Sequence, residues 1–394
     1  MDLGERTAHN TNTDAQFLPF TTINELQSTM RTSELIALLA ISTTLFLFLH
    51  TRDLSSKLKE MEVKMQPEDL VSANQIISGD SAPSHGVRSM MKILQSTGEM
   101  TSLHPYQLNN TRKAQQEIIF FNRVPKVGSQ TFMELLRRLS IRNQFGFHQD
   151  RVQRVETIRL APDDQIRLGA LVSSYDPPAV YIKHVCFTNF SEFGLPEPIY
   201  VNIVRDPVER VISWYYYVRA PWYYVERKMA FPDIPLPDPK WLKKDFETCV
   251  LSGDRECKYL KGETREGIGD HRRQSMFFCG HDQECTPFNT EGALQRAKMA
   301  VEQHYAVVGV LEDLNKTLTV LEHYIPKFFD GAQNVYWDEI SKYNTINRNT
   351  FKPKVDEDVK DIVRKNFTKE IEFYQFCKQR LHKQFYALKL PEYS

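Results

Sequence analysis

The sequence carries no net charge, because 50 lysines and arginines balance 50 aspartates and glutamates. That excludes the global basic field by which many proteins meet nucleic acid, so any anion must be bound by a local cluster. No internal repeat is present, which excludes solenoids and propellers. No G-x-x-x-x-G-K-S/T stretch occurs, so there is no Walker A loop. No metal-ligand set has a standard spacing. Cys279, His281 and Cys285 come nearest, and they lack a fourth ligand. The one D-x-D-like triplet, Asp356-Glu-Asp358, lies in a charged run rather than after a strand, which argues against a Golgi glycosyltransferase holding a metal-bound sugar nucleotide. No metal is expected.

Long apolar runs are also scarce, and one matters. Leu35 to Leu49 carries no charge, and the stretch around it approaches the roughly 20 residues of a membrane span. No small-residue cleavage site follows, so it reads as a retained single-pass signal anchor. Arg31 precedes it, whereas Arg52, Lys57, Lys59 and Lys64 follow. The charge asymmetry alone would place the C-terminal bulk in the cytoplasm. Sequons and cysteines argue the other way. Asn109, Asn189, Asn315 and Asn366 each begin an N-x-S/T triplet. Cys249 with Cys257, and Cys279 with Cys285, are spaced for small disulfide loops in an oxidising compartment, leaving Cys186 and Cys377 as buried thiols. The expected layout is a disordered cytoplasmic tail over 1–33, a transmembrane anchor over 34–50, a luminal stem over 51–114 and a folded luminal body over 115–394. Leu54, Leu58, Met61 and Met65 follow an a/d spacing that suits a short oligomerising stem.

The body is organised around Glu117 to Leu139. Ile118 to Phe121 is an apolar run of strand length. Phe132, Leu135, Leu136 and Leu139 recur on one helix face, which Ser129 or Thr131 can cap. Between strand and helix lie Arg123, Lys126, Val127, Gly128, Ser129, Gln130 and Thr131. Orphan backbone N–H groups and the positive dipole end of a helix meet a lysine there, so the loop reads as an anion site. Further strands are expected over 179–184, 199–204 and 307–310, with a helix over 314–324. The strand at 199–204 runs into Asp206-Pro207, a good cap and first helical residue. Alternation of strands and helices predicts an α/β fold with a central parallel sheet flanked by helices. Arg123, His184 and Arg205 all follow strand ends, where such sheets bind ligands. Arg205 lies just before the cap of the second helix and Ser213 two turns in, and together they suit a second phosphate. Residues 219–275, broken by prolines and crowded with aromatics from Trp214 to Tyr224, read as a loop-rich insertion over the site. Trp214 to Tyr217 read mainly as core aromatics.

Four stretches then carry a resemblance: NRVPKVGSQTF from Asn122, KHVCFTNFSEFG from Lys183, VRDPVERVISWYYYVR from Val204 and FFCGHDQEC from Phe277. In this order they resemble the uronosyl 2-O-sulfotransferases of heparan, chondroitin and dermatan sulfate, and most of all their Pipe-type branch. The resemblance covers roughly residues 115–390. It implies a P-loop-like sulfotransferase fold that takes sulfate from 3′-phosphoadenosine 5′-phosphosulfate (PAPS), a Golgi type II membrane protein with a luminal catalytic domain, and a homotrimer acting on a glycan or proteoglycan. It implies that Lys126 stabilises the departing nucleotide, that Val127 to Thr131 hold the 5′-phosphate, that Arg205 and Ser213 clamp the 3′-phosphate, and that His184 is the general base beside Arg123. Arg348 and Lys352 are expected in a basic loop over the nucleotide. Where heparan-type members carry His-Gly-His, this chain has Ile182-Lys-His184, and Pro221-Trp-Tyr-Tyr-Val-Glu-Arg replaces a basic cluster. Arg219, Arg227, Lys228, Arg272 and Arg273 are then the expected acceptor contacts. A catalytically silent glycan-binding protein on the same fold is the rival from another class.

Overall fold

The computed structural model describes residues 104–151, 153, 157–264, 273–341 and 352–390. The expected tail, anchor and stem up to residue 103, and Arg272 and Arg348, lie outside these residues. Among the described residues, no helix is long and apolar enough to cross a membrane.

Five strands form one parallel sheet: β1 (Ile118–Asn122), β2 (Gly146–Gln149), β3 (Ala179–Lys183), β4 (Ile199–Val204) and β5 (Tyr305–Val310). Their spatial order is β2-β3-β1-β4-β5. The chain therefore leaves β1 toward one side of the sheet and leaves β4 toward the other, and a crevice opens beyond their carboxyl ends. Every residue of β1, β4 and β5 is buried, so both faces of the sheet are covered. Alternation sends Phe120 toward Tyr181, Phe190 and Tyr200 on one face, and Phe121 toward Phe132 on the other. Three of the expected strands appear within a residue of the sequence reading, and the fourth begins two residues earlier. The edge strand β2 was not expected, because Gly-Phe-His-Gln has neither an apolar run nor a buried face to announce it.

The principal helices are α1 (Ser129–Arg142), α2 (Pro162–Ser173), α3 (Pro207–Tyr217), α4 (Pro221–Ala230), α5 (Phe246–Leu251), α6 (Glu291–Gln303), α7 (Leu314–Tyr324), α8 (Glu357–Arg364) and α9 (Thr368–Ala387). Asp206 caps α3 as expected, accepting from the Val208 and Glu209 N–H groups at 2.9 and 3.0 Å. The expected side-chain cap of α1 is replaced. Gly128 is its N-cap, in the left-handed region at φ 79°, and Ser129 is already helical.

The stretch after Arg219 is more helical than its prolines suggested. Pro221 occupies the first position of α4, where its missing N–H costs nothing. The Cys249–Cys257 bridge closes beneath α5, in a second apolar core that includes Val211, Ile212, Phe246 and Val359. The other expected bridge, Cys279–Cys285, is also formed, and Cys186 and Cys377 are buried thiols. His281 is tied at both ring nitrogens: Nδ1 accepts from the Leu160 N–H at 2.9 Å, and Nε2 pairs with the Thr188 hydroxyl at 2.8 Å. The folded body also starts earlier than expected: Asn110 is buried and its amide donates to the Glu302 and Tyr305 carbonyls at 2.9 and 3.0 Å. Asn109 is likewise packed, donating to the Tyr324 carbonyl at 3.0 Å, which sets it apart from the exposed sequon residues Asn315 and Asn366. Asn189 is half-buried, with its amide on the Glu192 carboxylate at 3.0 Å.

A polar node sits inside this apolar sheet. Asn122, Asn202 and Tyr305 are all fully buried. The Asn122 side-chain oxygen accepts from the Tyr305 hydroxyl at 2.8 Å and from the Asn202 amide at 3.1 Å. Its own amide donates to the Phe277 carbonyl at 2.9 Å. Three adjacent strands and the loop at Phe277 are thus tied at the residue before Arg123. Removing one partner leaves several buried groups unpaired, at about 1–3 kcal/mol each. Asn122→Leu is therefore expected to lower the unfolding free energy by at least about 2 kcal/mol in urea titration, and a change within about 0.5 kcal/mol would refute the node's importance.

Candidate functional site

The loop leaving β1 turns sharply into α1. Val124, Pro125 and Val127 point into the protein, while Lys126 takes the left-handed region at φ 65°. A non-glycine residue there costs of order 1–3 kcal/mol, so its surroundings must hold it. Two arginines do so from the β4–α3 side. Arg205 donates to the Lys126 carbonyl at 3.3 Å and buried Arg210 to the Pro125 carbonyl at 3.2 Å. The positive φ of Gly128 favours glycine there, and a Cβ on it would press on the end of the Leu311 side chain, 2.7 Å from Cδ1. Gly128, as N-cap of α1, has no side chain with which to cap the first amides of the helix.

The Lys126 ammonium lies 3.9 Å from the centroid of the Tyr217 ring. Burial, then Arg205 and then Lys352 push its pKa down to about 8. It is still charged at neutral pH, and strongly disposed to gain an anionic partner.

Arg205 is held on its backbone by Gln274, whose side chain accepts from the Arg205 N–H at 3.3 Å and donates to its carbonyl at 3.0 Å. Its guanidinium lies 3.7 Å from Glu209 and 4.0 Å from Glu312. Glu209 also takes Lys352 at 3.2 Å and Lys360 at 2.9 Å. These cations hold its carboxyl below the usual range, against the opposing effect of burial. Along α3, Glu209, Ser213 and Tyr217 recur every four residues and share one face. Arg205, Lys352 and Lys360 thus cluster on Glu209, with Ser213 one turn further along the same face of α3; sequence reasoning missed Glu209 and Lys360, whose letters read as ordinary helix-surface charge.

On the far side of β1, His184 follows β3. Its Nδ1 lies 2.9 Å from the Arg123 carbonyl, which can only accept, so Nδ1 carries the proton. Nε2 then accepts from Arg123 Nε at 2.7 Å. Burial and the neighbouring guanidinium push the histidine pKa down to about 3, so the ring is neutral at physiological pH. The pairing is fixed by backbone, since the Arg123 N–H donates to the Lys183 carbonyl at 3.0 Å.

Two expected acceptor contacts are elsewhere. Arg219 is buried, with its guanidinium 2.6 Å from Glu256, hydrogen-bonded to the Tyr215 and Trp241 carbonyls, and stacked on both those rings. It holds the second core together and has no surface to offer. Arg273 is also fully buried. The letters around either residue give no sign of inward packing. Arg227 and Lys228 remain half-buried on α4, Lys228 donating to the Pro232 carbonyl at 2.8 Å. Asp356 caps α8 by accepting from the Asp358 N–H at 3.1 Å, which gives the D-x-D-like triplet a structural purpose.

A family described as the sulfotransferase family matches residues 109–377. The Drosophila melanogaster uronyl 2-sulfotransferase homolog pip is 36% identical over 460 residues, covering 91% of this chain and 90% of that protein. Human uronyl 2-sulfotransferase is 30% identical over 271 residues, covering 67% of this chain and 62% of its own length. Heparan sulfate 2-O-sulfotransferase 1 of Xenopus laevis is 31% identical, with 66% of this chain and 69% of that protein covered.

A lowered lysine pKa sets a pH dependence. Lys126 is charged below about 8 and loses its proton as pH rises through that value. Arg205, Lys352 and the Tyr217 ring face it. Binding of inorganic sulfate, whose charge stays constant, is expected to weaken from about pH 7 to about pH 9 in calorimetric titration. Lys126→Arg is expected to flatten the profile, and a wild-type profile that is already flat would refute the assignment.

Proposed function

The chain belongs to the sulfotransferase family, and from that premise we propose that it moves sulfate from PAPS to the 2-hydroxyl of a uronic acid in a glycosaminoglycan or related glycan. One observation carries this reading: the loops leaving β1, β3 and β4 are joined at their carboxyl ends, through Arg123 with His184 and through Arg205 with the Lys126 carbonyl.

The residues fit a donor with two separated phosphates. The glycine-capped start of α1, with Lys126, Val127, Gly128, Ser129, Gln130 and Thr131, suits the 5′ side. Arg205, Ser213 and Lys352 suit the 3′-phosphate, with Glu209 as the counter-ion that yields to it. Bound there, PAPS would supply the sulfuryl group, leaving adenosine 3′,5′-bisphosphate (PAP). In this reading Lys126 sets its ammonium against the charge that grows on the nucleotide side, and the helix amides share that load. His184 takes the proton of the acceptor hydroxyl at Nε2, its tautomer fixed by the Arg123 carbonyl. For this Arg123 must release Nε2. An acceptor carboxylate, with its own attraction for a guanidinium, offers the replacement partner. Positioning and electrostatics are the main requirements of such a transfer.

The placement belongs to the same proposal: a Golgi type II protein, anchored over 34–50 with its body in the lumen and associating as a homotrimer. The two disulfides and the exposed Asn315 and Asn366 support a luminal body. The basic residues after the anchor point the other way.

A second reading is favoured by the hold of Arg123 on His184 Nε2 and the low basicity that goes with it. It is a silent glycan-binding protein on the same fold. The two readings separate cleanly. Purified protein is expected to bind PAP in calorimetry and to transfer radiolabelled sulfate to one of heparan, chondroitin or dermatan acceptors. His184→Ala and Lys126→Ala should each reduce transfer by at least about 100-fold with melting temperatures unchanged. Unaltered turnover in either variant would sink the mechanism, and a glycan-binding protein with no transfer would establish the silent reading.

A further inference from the structure

The aromatic crowding from Trp214 to Tyr224 is not used by any step above, yet it reaches the transfer loop. Tyr217, in the last turn of α3, places its ring 3.9 Å under the Lys126 ammonium. Around that ring stand Trp214 at 5.7 Å, Trp222 at 5.1 Å and Tyr223 at 5.0 Å. Two of these come from α4, so the tight corner between α3 and α4 builds a clasp of four rings. Tyr217 is half-buried, as is the lysine.

We propose that Tyr217 is a positioning residue for sulfate transfer, its ring face holding the Lys126 ammonium where negative charge develops on the departing nucleotide. This rests on the function proposed above and assigns Tyr217 a task within it. A long lysine side chain has several rotatable bonds, and fixing its end before reaction removes reorganisation from the barrier. A carboxylate in that place would neutralise the ammonium and repel an anionic donor. An aromatic face attracts the cation through its quadrupole and brings no net charge, so the lysine keeps its full charge for the donor. Desolvation strengthens such a contact, and this one lies in a crevice lined by rings. The face shared by Glu209, Ser213 and Tyr217 explains the location: one side of α3 serves the phosphate station at its start and the lysine at its end.

The hydroxyl has no part in this task, so Tyr217→Phe is expected to keep transfer within about twofold of the parent. Tyr217→Leu keeps an apolar side chain and loses the quadrupole. It should lower kcat about tenfold or more, while calorimetric PAP affinity and the KM for the glycan acceptor change less than about threefold. A thermal melt on each variant separates misfolding from the effect sought. If the leucine variant does not fold, Tyr217→Met replaces it in the same comparison. Equal kcat in the phenylalanine and leucine variants, or a loss in the phenylalanine variant as large as in leucine, overturns the proposal. Absence of both PAP binding and transfer in the parent protein would instead overturn the functional reading beneath it.

Discussion

The site depends on a hydrogen-bonded knot buried in an apolar sheet. Asn122 ends β1, and its side chain answers Tyr305 on β5, Asn202 on β4 and the carbonyl of Phe277. Polar groups at this depth are tolerated only when paired, and once paired they specify a single arrangement. Because the knot lies one residue before Arg123, it fixes where the loop from β1 to α1 begins. Neighbouring contacts extend that control: the Arg123 N–H continues the ladder to Lys183, and Gln274 grips the backbone of Arg205 as a neighbouring strand would. Three loops meet because three strand ends are locked in register.

From that frame follow opposite electrostatic treatments on the two sides of β1. On one, a lysine is held in a costly backbone conformation and deprived of water, with two further cations acting on it. On the other, a histidine is kept neutral with one tautomer chosen by a carbonyl. The first arrangement concentrates positive charge; the second keeps a lone pair on a ring nitrogen. Both are produced chiefly by burial at the mouth of one crevice.

Much of this was legible in the letters, and the exceptions have common causes. Periodicity and capping chemistry located β1, β3, β4, β5, α1 and α3, since long apolar patterns and an Asp-Pro start speak through local physics. The strand-end positions of Arg123, His184 and Arg205 followed from the parallel topology. Arg219 was misplaced because a guanidinium can be buried once carbonyls, a carboxylate and two rings surround it, and those partners are distant in sequence. The cap of α1 was misassigned to hydroxyls because a left-handed glycine does the same task through its backbone. Asn122 and Asn202 gave no signal, since a single polar residue inside an apolar strand announces nothing until its neighbours are known.

Glu209 has a consequence for how this crevice handles salt and ligand. Arg205, Lys352 and Lys360 converge on its one carboxylate. A cluster of three cations with no such anion would repel itself and recruit whatever counter-ion the solvent offered. With a tethered carboxylate in their midst, the protein carries its own exchangeable ion, as a resin does. An anion arriving there would have to trade places with a side chain already bonded to the helix, so selectivity would rest on outcompeting an internal rival, and a weakly charged passer-by would gain little by stopping.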